Sequence, residues 1–286
     1  MPHRFFPGVL PLKATSQLSS LSLRATGVPS FRVTPGKKSL NAPNEPKKDL
    51  GHPPWVIFNT ILLFLLSQVL VAPLLVYAVH GIIRPHQSLN FDNSIVAQFF
   101  FILIAELFVL LAVIRIVKRR GLSLQVIGLG RRPVWADLWR AGLGFVVFYI
   151  ILIGAGTMIN ALSPNLNNQQ QNLGFSNING GFENFLAFVA LVILPPLGEE
   201  TLVRGYLYSG LRFFWRFWPA VLFTSLFFGA AHLEFGNGGP LVWAAAVDTF
   251  LLSVVLCFLR ERTGALYAGM LVHMLNNLIA FGVHFK

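Results

Sequence analysis

Pro195-Pro196-Leu197-Gly198-Glu199-Glu200-Thr201-Leu202-Val203-Arg204-Gly205 follows an almost wholly apolar run from Phe182 to Leu194. It therefore places two carboxylates and a guanidinium at or within membrane depth. An ionisable group there costs several kcal/mol, so it marks a functional site by default. The proline pair predicts a stop to the incoming helix, because proline lacks an amide donor and clashes with the preceding turn. A second helix is then expected, with Glu199 and Glu200 in its first turn, where the positive end of the helix dipole favours negative charge. Glu200 and Arg204 stand four apart, on one face and with the acid first, which is the better order for an ion pair. Glu199 is rotated by about 100° from Glu200. One carboxylate is thus expected to be neutralised by Arg204 and its neighbour left free for chemistry.

The surrounding chain is that of a membrane protein. Of its 286 residues 55% are hydrophobic and 12% charged, against about 25% charged in a soluble domain. The single cysteine, Cys257, excludes a disulfide framework and a structural zinc–thiolate site. The net charge of +11 does not point to nucleic acid. Eight of the 22 Lys and Arg fall in the first 48 residues, and most others flank apolar segments, the distribution that membrane topology produces.

Seven segments are apolar enough to be read as membrane segments: Trp55–Val79, Ser94–Val117, Trp135–Leu162, Phe182–Leu211 (broken at Pro195-Pro196), Pro219–His232, Leu241–Leu259 and Ala265–Val283. The fifth is short, to be tilted or sunk within the bundle. The fold expected is all-α, a polytopic helical bundle over residues 55–286. With the N-terminus inside, Lys118-Arg119-Arg120, Arg131-Arg132, Arg212, Arg216, Arg260 and Arg262 all fall on the cytoplasmic side and the C-terminus on the other. Residues 1–54, rich in Ser, Pro, Lys and Arg and without an acid before Glu45, read as a disordered basic tail held near anionic headgroups. The alternative is an organelle transit peptide. Asn165–Asn172 is a polar low-complexity loop.

Two later segments also carry polar groups. The fifth ends Phe228-Gly229-Ala230-Ala231-His232, and the seventh contains His273-Met274-Leu275-Asn276-Asn277. In each the outer pair, Phe228 with His232 and His273 with Asn277, shares a helix face. Two carboxylates, two imidazoles and an amide suit hydrolysis: a carboxylate takes a proton from water, a histidine orients it, and donors stabilise an oxyanion. No serine or cysteine has a base placed with comparable support.

These three motifs, Glu199-Glu200-x-x-x-Arg204, Phe228-x-x-x-His232 and His273-x-x-x-Asn277, resemble in kind and order those of the CPBP (Abi) family. That family comprises membrane-embedded CAAX-type proteases and bacteriocin-processing or immunity proteins. The resemblance covers about residues 182–281. It implies a metal-independent glutamate protease acting on a peptide or membrane-protein substrate. Glu199 would activate water with His232 assisting, His273 and Asn277 would form the oxyanion site, and Glu200 and Arg204 would hold the geometry.

Each motif also has a plain structural reading. Glu200–Arg204 alone suits a structural ion pair, His232 a helix-end residue, and His273 with Asn277 interhelical hydrogen bonds; Phe228 reads as site wall. Glu106 and Asp248, two more acids in apolar segments, either reach the site or pair with a base such as Arg115. Two functional alternatives stay open. Two His and a Glu are credible ligands of a hydrolytic zinc, and a non-catalytic immunity or scaffold protein needs no chemistry at all. The compact size and short loops point to a bacterial inner membrane, with a plastid membrane as the alternative.

Overall fold

A chain in lipid must satisfy its own amides, which leaves helices as the simplest way to cross. The computed structural model describes residues 49–162, 174, 175, 178, 180–235 and 241–285. Seven helical stretches occur among them: α1 (Pro53–Ile83), α2 (Ile95–Arg119), α3 (Trp135–Leu162), α4 (Gly181–Phe214), α5 (Phe217–Ala230), α6 (Ala244–Thr263) and α7 (Tyr267–His284). The expectations for residues 1–48 and for the loop Asn165–Asn172 lie outside the described residues. Of the expected tail, residues 49–54 are described. Leu50 is buried in the core, and α1 begins at Pro53.

The expectation of seven crossings is refined. By length and composition α1 to α4 are the helices long and apolar enough to cross a membrane. α5 has 14 residues, about 21 Å at 1.5 Å per residue, against a hydrocarbon core of about 30 Å. α6 and α7 have 20 and 18 residues; α6 carries Asp248, Arg260, Glu261 and Arg262. The sixth segment also starts later than expected. Leu241–Val242 pairs antiparallel with Glu234–Phe235 before α6 begins at Ala244, the one strand pair among the described residues.

α4 lies at the centre, in contact with α1, α2, α5, α6 and α7, whereas α3 packs on α6 and α7. Burial follows this order. The most apolar window of α4 is 56% buried and that of α3 only 11%. Trp135, Ile150 and Ile153 leave α3 outward at 66–85% exposure, the surface lipid would cover. One core gathers α4 side chains Tyr206, Leu207 and Leu211 with Val113, Val117, Val221 and Phe228. A second joins α3, α6 and α7 through Phe148, Leu256 and Val272.

The basic connectors meet at one end of this bundle. Arg131 pairs with Asp137 at 2.5 Å, and the Tyr267 hydroxyl donates to the Arg131 carbonyl. The hydrogen bond to Asp137 holds the Arg131 guanidinium above its ordinary range. Arg260 donates to the Val126 carbonyl at 2.8 Å, and Arg212 pairs with Glu261 at 2.9 Å.

The proline pair does not stop the helix, and this corrects the reading of the central stretch. α4 runs on because Val189–Ile193 widens to a π-helical turn before Leu194–Glu200. Wide turns of this kind occur mostly at functional sites and kinks. Pro195 and Pro196 then occupy the first positions of an α-helical turn, where their fixed φ suits the helix. Glu199 and Glu200 close that turn instead of opening it, and a second π-helical run follows over Thr201–Tyr208. The first-turn dipole argument therefore does not apply to them.

Candidate active site

The α4 stretch carries its acids into the middle of the bundle. Glu200 and Arg204 are both buried, and Arg204 Nη1 donates to Glu200 Oε1 at 2.8 Å. The pairing expected from their spacing is thus present. His273 comes from α7 and also faces Glu200: its Nδ1 stands 3.1 Å from the same Oε1. The other ring nitrogen, Nε2, is 3.9 Å from Glu199 Oε2. That separation is too long for a direct hydrogen bond and fits one bridging water. Glu199 is the more open acid, 27% exposed against 1% for Glu200, and its buried Oε2 has no hydrogen-bond partner among the described residues.

Phe228 organises the basic side of the site. Arg204 lies over its ring at 4.2 Å, an arrangement that stabilises a cation through the ring quadrupole. The His273 ring meets Phe228 edge-on at 5.9 Å, and the His232 ring tilts against it at 4.6 Å. His232 Nδ1 is held at 2.8 Å from the Phe228 carbonyl. The ring nitrogen Nδ1 therefore donates and Nε2 is left as an acceptor. Among the described residues His232 makes no ion pair with an acid, and it borders the site through Phe228.

Asn277, one turn beyond His273 on α7, is anchored on α4 at a place that the prolines dictate. Its Nδ2 donates to the Leu191 carbonyl at 2.9 Å. In an α-helical register that carbonyl would accept from residue 195, and in a π-helical register from residue 196. Both are proline and neither can donate. The side chain of Asn277 supplies the missing donor, and its second amide hydrogen remains available. The proline pair and the α7 amide thus form one unit, visible in the sequence only once the two are known to face each other.

Sequence reading left Glu106 unassigned, and the structure brings it to the site. It is 8% exposed on α2, with its carboxylate over Gly198, so closely that a Cβ at that position would collide with it. Cys257 of α6 sits beside Arg204 and Ser253, while Asp248 lies near Tyr149. Two clefts of about 620 and 640 Å³ lie elsewhere, lined by α1, α2 and residues 84–94. Among the described residues no group of three His, Cys, Asp or Glu is arranged to hold a metal ion.

Fold and site together define a helical membrane protein with a carboxylate–imidazole centre buried between α4, α5 and α7. Residues 181–279 match the model of a family described as Rce1-like, type II CAAX prenyl endopeptidase Rce1-like, and this places that region in the CAAX-protease family. All six residues expected at the site fall inside it. The chain is also 35% identical over 91 residues to an uncharacterized 24.3 kDa protein of Escherichia coli. That alignment covers 31% of this chain and 40% of the relative. No solved structure matches the chain.

Proposed function

We propose that the protein is an intramembrane endopeptidase in which Glu199 activates a water molecule. The observation that carries this reading is the unengaged Glu199 oxygen facing His273 Nε2 at 3.9 Å, inside the segment that matches the CAAX-type family. Glu199 takes a proton from water as the water oxygen attacks the scissile carbonyl carbon, a role in which a positioned base contributes about 10²–10⁴-fold. The tetrahedral oxyanion is then met by donors from α7, His273 and the free amide hydrogen of Asn277. Collapse breaks the C–N bond, and the proton held by Glu199 passes to the leaving amine, with His232 assisting at the rim. Glu200 neutralises Arg204 and accepts from His273 Nδ1, which orients the ring with Nε2 toward the site; to donate to the oxyanion the ring carries a proton on Nε2 as well.

The substrate in this reading is a peptide segment of a membrane or membrane-bound protein, prenylated or not, and the chemistry needs no metal. The protein would sit in a bacterial inner membrane with its basic end in the cytoplasm, the N-terminus in and the C-terminus out; a plastid membrane is the alternative.

The test is cleavage of a quenched fluorescent peptide library by purified, detergent-solubilised protein. Wild type should cleave, and Glu199→Gln should not. Unchanged cleavage in Glu199→Gln, Glu199→Ala and His232→Ala would remove the proposal. Loss of cleavage with a metal chelator, restored by zinc, would favour a zinc hydrolase instead. A cellular phenotype retained by Glu199→Ala would favour a non-catalytic immunity or scaffold protein. Single cysteines in the connectors, probed with an impermeant thiol reagent, report the orientation.

A further inference from the structure

Phe228 stands in the last turn of α5, and its buried ring is where three elements of the site meet. The Arg204 guanidinium of α4 lies over the ring at 4.2 Å. His273 of α7 meets it at 90° and 5.9 Å, and His232 tilts on it at 4.6 Å. An aliphatic side chain would fill this corner of the core, which Phe228 shares with Val113 and Val221. It would not offer a negative ring face to a cation. The distinction matters for Arg204. Its Nη1 donates to Glu200 Oε1 at 2.8 Å, while Nε and Nη2 have no hydrogen-bond partner among the described residues. A guanidinium held at one nitrogen can swing about that bond, and the ring face is the second point that fixes it.

This fixing reaches the proposed chemistry through one oxygen. Glu200 Oε1 takes the Arg204 hydrogen bond and also stands 3.1 Å from His273 Nδ1. The opposite nitrogen of that imidazole faces Glu199 Oε2 at 3.9 Å. A shift of the guanidinium therefore turns Glu200 and, with it, the ring that faces the base. The perpendicular contact with Phe228 sets the plane of the same ring. We propose that Phe228 is a positioning residue, whose ring electrons hold Arg204 and thereby aim His273 at Glu199. At 2% exposure the phenyl ring is itself closed to a substrate, so it acts through Arg204 and Glu200. This deepens the proposed hydrolytic role of the site and rests on it.

The experiment replaces Phe228 with mono-, di- and trifluorinated phenylalanine in the full chain, purified in lipid nanodiscs. Each fluorine draws electron density from the ring face and changes its size little. With the cleaved peptide, well below the melting temperature, kcat should fall with every fluorine. The fall should reach about 30-fold across the series, the size of a desolvated cation–ring attraction, while KM stays at the wild-type value. Equal kcat throughout would show that the ring only fills space. A rising KM at constant kcat would make it a wall of the substrate site. Either result overturns the proposal. A second readout needs no substrate: the Arg204 Nε–H proton resonance, identified by its loss in Arg204→Lys. It should lie upfield under the ring current and return to the ordinary arginine position in Phe228→Leu, or in Phe228→Met should the leucine variant fold poorly. The same resonance position in wild type and variant also overturns the proposal. A ring-shifted Nε–H in a protein that cleaves nothing would sink the endopeptidase reading and leave the ring–arginine contact standing.

Discussion

Two arginine–glutamate pairs in this molecule have nearly the same bond length and opposite circumstances. Arg204 and Glu200 meet at 2.8 Å with side chains 0% and 1% exposed; Arg212 and Glu261 meet at 2.9 Å at 36% and 34%. The outer pair is fully engaged: Arg212 reaches both Glu261 oxygens and the Trp215 carbonyl, and the Tyr208 hydroxyl donates to Glu261. The inner pair is not. Among the described residues Arg204 Nε and Nη2 and Glu200 Oε2 have no hydrogen-bond partner, although buried polar groups are almost always hydrogen-bonded. Distance alone thus says little about what a pair does. A buried pair that is short of partners sits where stability would favour apolar residues, which argues that its position serves the neighbouring Glu199 and His273.

The comparison breaks first at Glu199. If the interior acids serve chemistry, Glu199→Gln lowers kcat by about 10²–10⁴-fold while the melting temperature in detergent stays close to wild type. A large fall in both would make Glu199 structural. Arg204→Ala comes next. It leaves Glu200 an uncompensated buried charge and should destabilise the fold by about 3–5 kcal/mol, read as reduced resistance to denaturant. A loss below about 1 kcal/mol, the exposed-pair range, would erase the distinction between the two pairs.

Much of the interior site was legible because its residues are anomalous where they stand. Charges in an apolar run at i and i+4, and imidazoles on two further apolar segments, point to one place, and the structure brings Glu199, Glu200, Arg204 and His273 together there. What escaped the sequence was backbone register. Pro195-Pro196 reads as a break, and only the π-helical turn at Val189–Ile193 shows how a helix passes through it. The same turn moves Glu199 and Glu200 from the start of a helix to its middle. Glu106 was visible as an acid in oil, but its partner was not, since the contact depends on Gly198 having no side chain. His232 was expected to assist Glu199; its ring lies against Phe228, and among the described residues it forms no ion pair with an acid.

That register argument makes a prediction of middle size. Asn277→Ala removes the only donor that the Leu191 carbonyl has from α7 and should cost about 1–3 kcal/mol, the usual cost of an orphaned buried polar group. Pro195→Ala returns an amide at the α-helical position. The double variant should therefore recover stability that Asn277→Ala loses, without recovering cleavage. Additive losses in a double-mutant cycle would show that the prolines and Asn277 are not one unit.

The smallest effect belongs to the outer pair, and it tests the comparison from its other side. Arg212→Ala removes a charge at the exposed end of the bundle, where an ion pair is worth about 0–1 kcal/mol. The side chain also holds the Trp215 carbonyl at 3.0 Å, so the loss should fall at the upper end of that range. Because both partners are about one-third exposed, the stability difference between wild type and Arg212→Ala should shrink as salt rises from 0.01 to 1 M, over which screening shortens from about 30 Å to about 3 Å. The Arg204→Ala difference should not move, since the bundle interior keeps salt away from that pair. Equal salt dependence in the two variants would mean that solvent ions reach Arg204. Its missing partners would then be water, and the interior pair would be no more demanding than the one at the surface.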